Sequence, residues 1–222
     1  MDIMEAVKTR HSVRAYTDQR IEGAVCSELQ SYINQCNCES GLHMQLILDE
    51  DIAFSGRMAH YGKFSGVRNY IAVIGKKGCD EDCGYYGEKV VLRAQQLGLN
   101  TCWVGLTYKR VQSAYEIGEG EKLHLVIAIG YGAEQGKAHV SKPKEKVTDN
   151  WDQKPEWFQQ GVVCALLAPT ALNQQKFRFS LHGNHVQAKA GIGSYSKVDL
   201  GIAKCHFEIG AGNENFEWQR LR

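Results

Sequence analysis

Ala168-Pro169-Thr170-Ala171-Leu172-Asn173-Gln174-Gln175 stands between two stretches of different period. Before it, Trp157 to Leu167 reads as a helix that Pro169 stops. After it, Phe177, Phe179 and Leu181 alternate as a strand, and Gly183-Asn184 can turn that strand back into Val186-Gln187-Ala188. The stretch is thus a helix-to-strand connection. Thr170, Asn173 and Gln175 give it neutral donors and acceptors suited to the amide-like edge of a heterocycle. A plain loop rich in turn residues explains it equally well. Further on, Asp199 is a good N-cap for a helix with Ile202, Cys205 and Ile209 on one face.

Upstream, Lys137 to Pro155 is polar and charged, with no helical or strand period. It reads as a surface connection between a first half, 1–136, and a shorter second half, 156–222. In the first half, Asp2-x-x-Glu5 resembles a capping box opening a helix through Val7. Met44, Leu46 and Leu48 alternate as a half-buried strand, and Tyr70 to Ile74 is an apolar run of strand length ended by Gly75. Gly87 to Leu97 is helical, with Gly98 suited to the left-handed residue after its end. Leu125 to Ile129 forms another buried strand, closed by Gly130-Tyr131-Gly132. Gly87…Gly98 and Gly201…Gly212 share one glycine spacing around an amphipathic helix, a weak internal repeat.

The 222 residues exceed the roughly 150 of an average domain without reaching two of them. Charges nearly cancel, at 26 Lys+Arg against 25 Asp+Glu, so no overall basic field draws nucleic acid. The longest apolar run, Val162 to Ala168, is far below the roughly 20 residues of a membrane span. Met1-Asp2-Ile3-Met4-Glu5 lacks the basic and apolar regions of a signal peptide. A soluble, cytoplasmic protein is expected, with no membrane partner. In that compartment the eight cysteines are expected reduced. Cys36-Asn37-Cys38 is too tight for an ordinary bridge, and Cys79 and Cys83 frame a polar loop with one residue more than a zinc ribbon uses. A metal or redox module on these four is weighed and set behind the reading below; no metal ligand is assigned.

Two further segments carry polar or ligand-facing chemistry. Lys8-Thr9-Arg10-His11-Ser12-Val13-Arg14 gathers cations, an imidazole and a hydroxyl, and an extended backbone would put Arg10, Ser12 and Arg14 on one face. Arginine's planar fork matches a phosphate or carboxylate. The competing reading is a solvated basic edge, which composition alone favours. Leu97-Gly98-Leu99-Asn100-Thr101-Cys102-Trp103-Val104-Gly105 turns apolar after the helix and ends at a glycine that lets a ligand reach the backbone. Trp103 either covers a flat ring or fills the core, the core being the default. No Gly-x-Gly-x-x-Gly follows a strand, and there is no Walker loop, nucleophile elbow or His-Glu-x-x-His. His206, beside an apolar helix face, reads as a satisfied buried imidazole rather than a base.

In this order the segments resemble the nitroreductase family of FMN-dependent oxidoreductases. Arg10-His11-Ser12-Val13-Arg14 is similar to the family's Arg-x-Ser-x-Arg/Lys segment, which grips the FMN phosphate and pyrimidine edge. Gly98 to Gly105 resembles its Gly-Leu-Gly-x-x-Trp-Ile-Gly segment at the flavin ring, and Ala168 to Gln175 its Ala-Pro-Ser-x-x-Asn-x-Gln segment. In ordinary members the last segment follows soon after the arginines and is lent to each FMN by a partner subunit. Here Cys36 to Met44, where it should fall, has no such pattern. The likeness is therefore to fused, pseudo-dimeric members. The second half lacks an Arg-x-Ser-x-Arg, so one live site per chain is expected. Lys176 replaces the proline usual after the glutamine, and Arg220 or Arg222 would have to serve as the family's carboxyl-terminal basic residue.

The resemblance implies an α+β fold: a mixed, mainly antiparallel sheet flanked by helices, with two related halves forming an intrachain pseudo-dimer. It implies FMN as cofactor, held by Arg10, His11, Ser12, Arg14, Trp103, Val104, Gly105, Pro169, Thr170, Ala171 and Asn173. Arg10 and Ser12 would take the phosphate, Arg14 the phosphate or the N1–O2 edge, and Gly105 would offer its backbone near N5. It implies an NAD(P)H oxidoreductase reducing nitroaromatics, quinones or similar electron-poor acceptors by ping-pong hydride transfer at flavin N5. No side chain is named as catalytic. A monomer is expected, a homodimer being the alternative. The competing function is an FMN-binding or sensing protein without turnover.

Overall fold

The computed structural model describes residues 1–219; Arg220 and Arg222 lie outside the described residues. In chain order the main elements are α1 (Ile3–Thr9), α2 (Gly23–Ser40), β1 (Gln45–Ile47), α3 (Arg57–Tyr61), β2 (Tyr70–Lys76), α4 (Asp80–Gln96), β3 (Asn100–Val104), β4 (Glu121–Gly130), α5 (Glu156–Ala165), β5 (Phe177–His182), β6 (His185–Ala190), α6 (Ser196–Ala211) and β7 (Glu217–Trp218). They fall into two compact units. One holds Thr9–Cys79 and Lys89–Ala138; the other holds Met1–Lys8, Asp80–Glu88 and the chain from His139 onward.

The first unit is built on a four-stranded antiparallel sheet in the order β1-β2-β4-β3. β2 and β4 are central because they are apolar on both faces: Tyr70 through Ile74 and Leu125 through Ile129 are all buried. On one face Tyr70, Ala72, Ile74, Cys102, Val104, Val126 and Ala128 pack with Val13, Phe54, Phe64 and Tyr108. α2 ends at Gly41, whose left-handed backbone (φ 72°) lets its N–H close onto the Asn37 carbonyl. The Asn37 side chain then ties this helix end to the sheet, exchanging two 2.9 Å hydrogen bonds with the Met44 backbone.

The second unit is mainly helical. Asp2 caps α1 by accepting the Glu5 N–H at 2.7 Å, as the capping box requires. α5 and α6 meet at glycines: a Cβ on Gly161 would lie 2.7 Å from the Phe207 ring, and one on Gly210 would lie 2.6 Å from the Gln160 carbonyl oxygen. The first turns of α4 meet α6 reciprocally. Gly84 faces the Val198 carbonyl and Gly201 faces the Glu81 carbonyl, both at distances that leave no room for a Cβ. β5 and β6 form the expected two-residue hairpin through Gly183-Asn184, and β7 adds to β6 in parallel. Phe207 stacks on Phe179 with ring centroids 4.7 Å apart and meets Phe158, Phe216 and Trp218 in the core between α5, α6 and this small sheet.

Several local expectations change. α4 begins at Asp80, so Cys79 and Cys83 flank its first turn rather than a loop; three acidic residues in that turn suit the positive helix end. Gly87 and Gly201 therefore lie inside their helices, while Gly98 (φ 82°) and Gly212 (φ 75°) do follow helix ends. β2 runs through Gly75, and Leu48 lies past the end of β1, exposed. The 137–155 connection is not wholly superficial. Val147 and Thr148 are buried, and the Val147 carbonyl accepts the Phe179 N–H at 2.8 Å, so the connection packs with the second unit. Asp199 caps no helix of its own, because α6 already starts at Ser196 behind a left-handed Tyr195.

Candidate functional site

β3 is an edge strand, and its open edge receives the amino-terminal segment. Ser12 pairs with Thr101 in a parallel bridge, and the Val13 N–H donates to the Thr101 carbonyl at 3.0 Å. The other side is fixed as firmly. Tyr16 N–H donates to Ser65, Ser65 N–H to Arg14, and Ala133 N–H to Ala15, all at 2.9–3.0 Å. Gly136, with φ 71°, lies so close to His11 and Ser12 that a Cβ there would sit 2.8 Å from the His11 Cβ. Val13 is the hydrophobic anchor of the segment and is fully buried in the core of the first unit.

This backbone positions the donors. Arg10 is only 3% exposed, which sets it apart from a solvated basic edge. Arg14 is exposed and lies over the Phe64 ring, 5.9 Å from its centroid. Burial pushes the Cys102 thiol up, while the Arg14 guanidinium, a hydrogen bond from Ser12 and the Arg10 guanidinium pull it down. Arg10, Ser12 and Arg14 all lie on the short segment that the Ser12–Thr101 bridge lays along β3. Burial likewise raises the Tyr16 phenol well above its usual value, with Cys102 adding to the rise and Arg14 opposing it. Two guanidinium groups and a hydroxyl against an immobilised backbone are a donor set for a phosphate or similar anion.

Trp103 follows on the same strand, and Gly105 comes directly after its end. Cys102 and Val104 point into the core, so the alternation sends Trp103 to the opposite face, where it is half-buried rather than part of that core cluster. The structure thus brings the Arg10–Arg14 and Trp103–Gly105 segments together within one unit.

The Pro169–Gln175 segment is built in the other unit. Its turn is strained: Leu172 (φ 51°), Asn173 (φ 52°) and Gln175 (φ 43°) all lie in the left-handed region without being glycine. Thr170 Oγ1 accepts the Gln175 N–H at 3.0 Å. The buried Gln175 amide accepts from the Lys142 N–H and donates to the Val140 carbonyl and to Asn173 Oδ1. Asn173 Nδ2 also donates to Val140. These polar groups hold the loop itself. Asp199 Oδ1 accepts the Ala171 N–H at 2.9 Å. Sequence reasoning placed Asp199 in a different role, because nothing local to either segment signals a contact across that length of chain.

The cysteine alternatives resolve separately. All eight are free thiols. Cys36 and Cys38 are two positions apart on α2, one buried and one exposed, so their side chains diverge. Cys79 Sγ bonds the Lys76 carbonyl at 2.9 Å and lies 3.4 Å from His124 Nε2, which itself faces the Gly75 and Lys76 carbonyls. His206 is a fully buried imidazole with both nitrogens engaged, as its position in the sequence suggests.

Comparison with known proteins gives one consistent result. The family model described as "Putative TM nitroreductase" matches residues 2–211. A solved structure from Thermotoga maritima, described as a "putative nitroreductase", is 22% identical over 100% of this chain and 90% of its own, with a TM-score of 0.72. One from Exiguobacterium sibiricum, in complex with FMN, is 16% identical over 66% of this chain and 95% of its own, with a TM-score of 0.53. One from Bacteroides thetaiotaomicron, described as a "putative NADH dehydrogenase/NAD(P)H nitroreductase", is 19% identical over 67% and 96%, with a TM-score of 0.52. At these identities the structural likeness concerns the fold. A search of curated proteins returned no match. A family match over nearly the whole length, on an α+β fold that lays the arginine segment along β3, leads to one assignment: the chain belongs to the nitroreductase family.

Proposed function

We propose that the protein is an FMN-dependent NAD(P)H oxidoreductase acting on nitroaromatics, quinones or similar electron-poor acceptors. The observation that carries this is the Arg10–Arg14 segment paired along the edge of β3, with the Arg10 guanidinium side chain buried beside it. The donor set fits FMN, whose phosphate is a dianion near neutral pH. FMN bound there would supply hydride and electron transfer between NAD(P)H and the acceptor. Arg10 and Ser12 hold the phosphate, and His11 shapes the backbone that carries them. Arg14 adds positive charge at the phosphate or at the pyrimidine edge of the ring. Trp103, Val104 and Gly105 offer a flat surface and an approachable backbone. Pro169, Thr170, Ala171 and Asn173 are a second set of flavin contacts, as in the family's corresponding segment.

No side chain is needed as an acid or base, so none is named catalytic. The halves 1–136 and 156–222 supply in one chain what two subunits supply in ordinary members; a monomer with one FMN follows. A cytoplasmic location is part of the same proposal; no helix among the described residues is long and apolar enough to cross a membrane.

Anaerobic mixing of FMN-loaded protein with NADH or NADPH tests the activity. The expected result is bleaching of the flavin absorbance much faster than for free FMN, followed by recovery when a quinone or nitroaromatic is added. Bleaching no faster than free FMN would show a flavin-binding protein without turnover.

A further inference from the structure

We propose that Asp199 is a positioning residue for the flavin-facing segment Pro169–Asn173, its buried carboxylate holding the Ala171 N–H so that the strained turn keeps its shape. This rests on the reading that the segment contacts FMN. Asp199 lies in the first turn of α6, yet its side chain serves another part of the chain: Oδ1 accepts from Ala171, 28 positions away. Its own N–H is satisfied by the Tyr195 carbonyl at 2.8 Å. The residue is 4% exposed.

Two observations argue that the carboxylate is retained for the segment rather than for the fold. The first is the strain. Three of the four residues from Leu172 to Gln175 adopt left-handed backbone that ordinary side chains disfavour. Such a turn persists only where its surroundings over-determine it. The anchors are Asp199 at Ala171, Thr170 at Gln175, and Val140 and Lys142 at the Asn173 and Gln175 amides. Asp199 is the acidic side chain among these anchors, and the Lys142 ammonium adds a 3.4 Å hydrogen bond to the Gln175 carbonyl. The second is the energetic direction. Burial pushes the Asp199 carboxyl up to about 6, against the opposing pull of the Ala171 N–H. An ionised acid there weakens the fold, whereas a neutral amide of the same shape would still accept the hydrogen bond.

The neighbouring charges do not account for the shift. α6 carries Lys197 and Lys204, the latter paired with Glu81 at 2.7 Å. The first turns of α4 carry Asp80, Glu81, Asp82 and Glu88, α5 carries Glu156, and Lys142 and Lys176 flank the loop. Burial and the Ala171 N–H alone set the direction at Asp199. The sign then separates two effects. As pH falls through about 6, the folded state takes up a proton that the unfolded state takes up only at lower pH, so this group's contribution to stability improves. Over the same range the charge-assisted hydrogen bond to Ala171 becomes a neutral, weaker one. Fold stability and segment anchoring move in opposite directions.

The test compares the full-length protein with Asp199→Asn, titrating the apoproteins with FMN by flavin fluorescence at about pH 8 and about pH 5, on either side of the shifted acid. At the higher pH the variant should bind FMN about fivefold more weakly, the difference between a charged and a neutral acceptor. At the lower pH the two should converge. Protonation of the FMN phosphate affects both proteins alike and cancels in the ratio. In denaturant the variant should be at least as stable as wild type at the higher pH. Equal affinities at the higher pH, a ratio unchanged between the two, or an affinity loss that tracks a stability loss would overturn the positioning role. If wild type binds no FMN at either pH, the flavin reading itself falls, and the role with it.

Discussion

Replacing Glu88 with alanine should destabilise the protein by about 2–5 kcal/mol, the range for deleting a large buried side chain and leaving a buried nitrogen without its partner. Glu88 and His206 are both 0% exposed, with Oε1 and Nε2 2.8 Å apart. The other imidazole nitrogen lies 3.2 Å from the Cys164 carbonyl. The pair therefore joins α4, α5 and α6 at a point water does not reach. Truncating Glu88 removes the partner of His206 Nε2 and opens a cavity beside it, two penalties of the same sign. Replacing both residues with leucine should be milder than the single change, because no polar atom is then stranded. Urea denaturation of the two variants checks this. A Glu88→Ala loss under about 1 kcal/mol, the range of exposed pairs, would show that the pair is not buried as described.

The second large effect concerns binding. Removing Arg10 and Arg14 together, as Arg10→Ala with Arg14→Ala, should weaken FMN by roughly a hundredfold or more, since charge-assisted hydrogen bonds contribute about 1.5–3 kcal/mol each. The two are unequal. Arg10 is buried and its contact is shielded from solvent; Arg14 is exposed over Phe64 and its share is screened. Arg10→Ala alone should therefore account for most of the loss. Isothermal titration at two salt concentrations separates them, with the Arg14 contribution falling as salt rises. Unchanged FMN affinity in the double variant would show that the phosphate lies elsewhere.

Which features the sequence revealed follows from the range of the forces involved. The hairpin through Gly183-Asn184, the Asp2 cap and the buried runs of β2 and β4 rest on neighbours a few residues apart, and all are found. The Arg10–Arg14 segment was legible as chemistry, but composition alone favoured a solvated edge. Only the strand pairing with Thr101 and the burial of Arg10 separate the two readings. Cys79 to Cys83 read as a loop because it is polar throughout and two of its three acids are Asp; at a helix start these acids instead complement the dipole. Asp199 shows the limit most clearly. A good capping residue was recognised, but the N–H it satisfies belongs to Ala171, and only the packing of α6 brings the two together. The integration of Val147 and Thr148 into the second unit was hidden for the same reason.

The proposed anion site on β3 takes the phosphate of a flavin. Titration of the apoprotein with FMN and, in parallel, with riboflavin tests it most directly, because the two ligands share the ring and differ only in the phosphate. The expected result is one FMN per chain, bound at least a hundredfold more tightly than riboflavin, consistent with about 3 kcal/mol of phosphate recognition. Equal affinity for the two ligands, or uptake of neither, would contradict it.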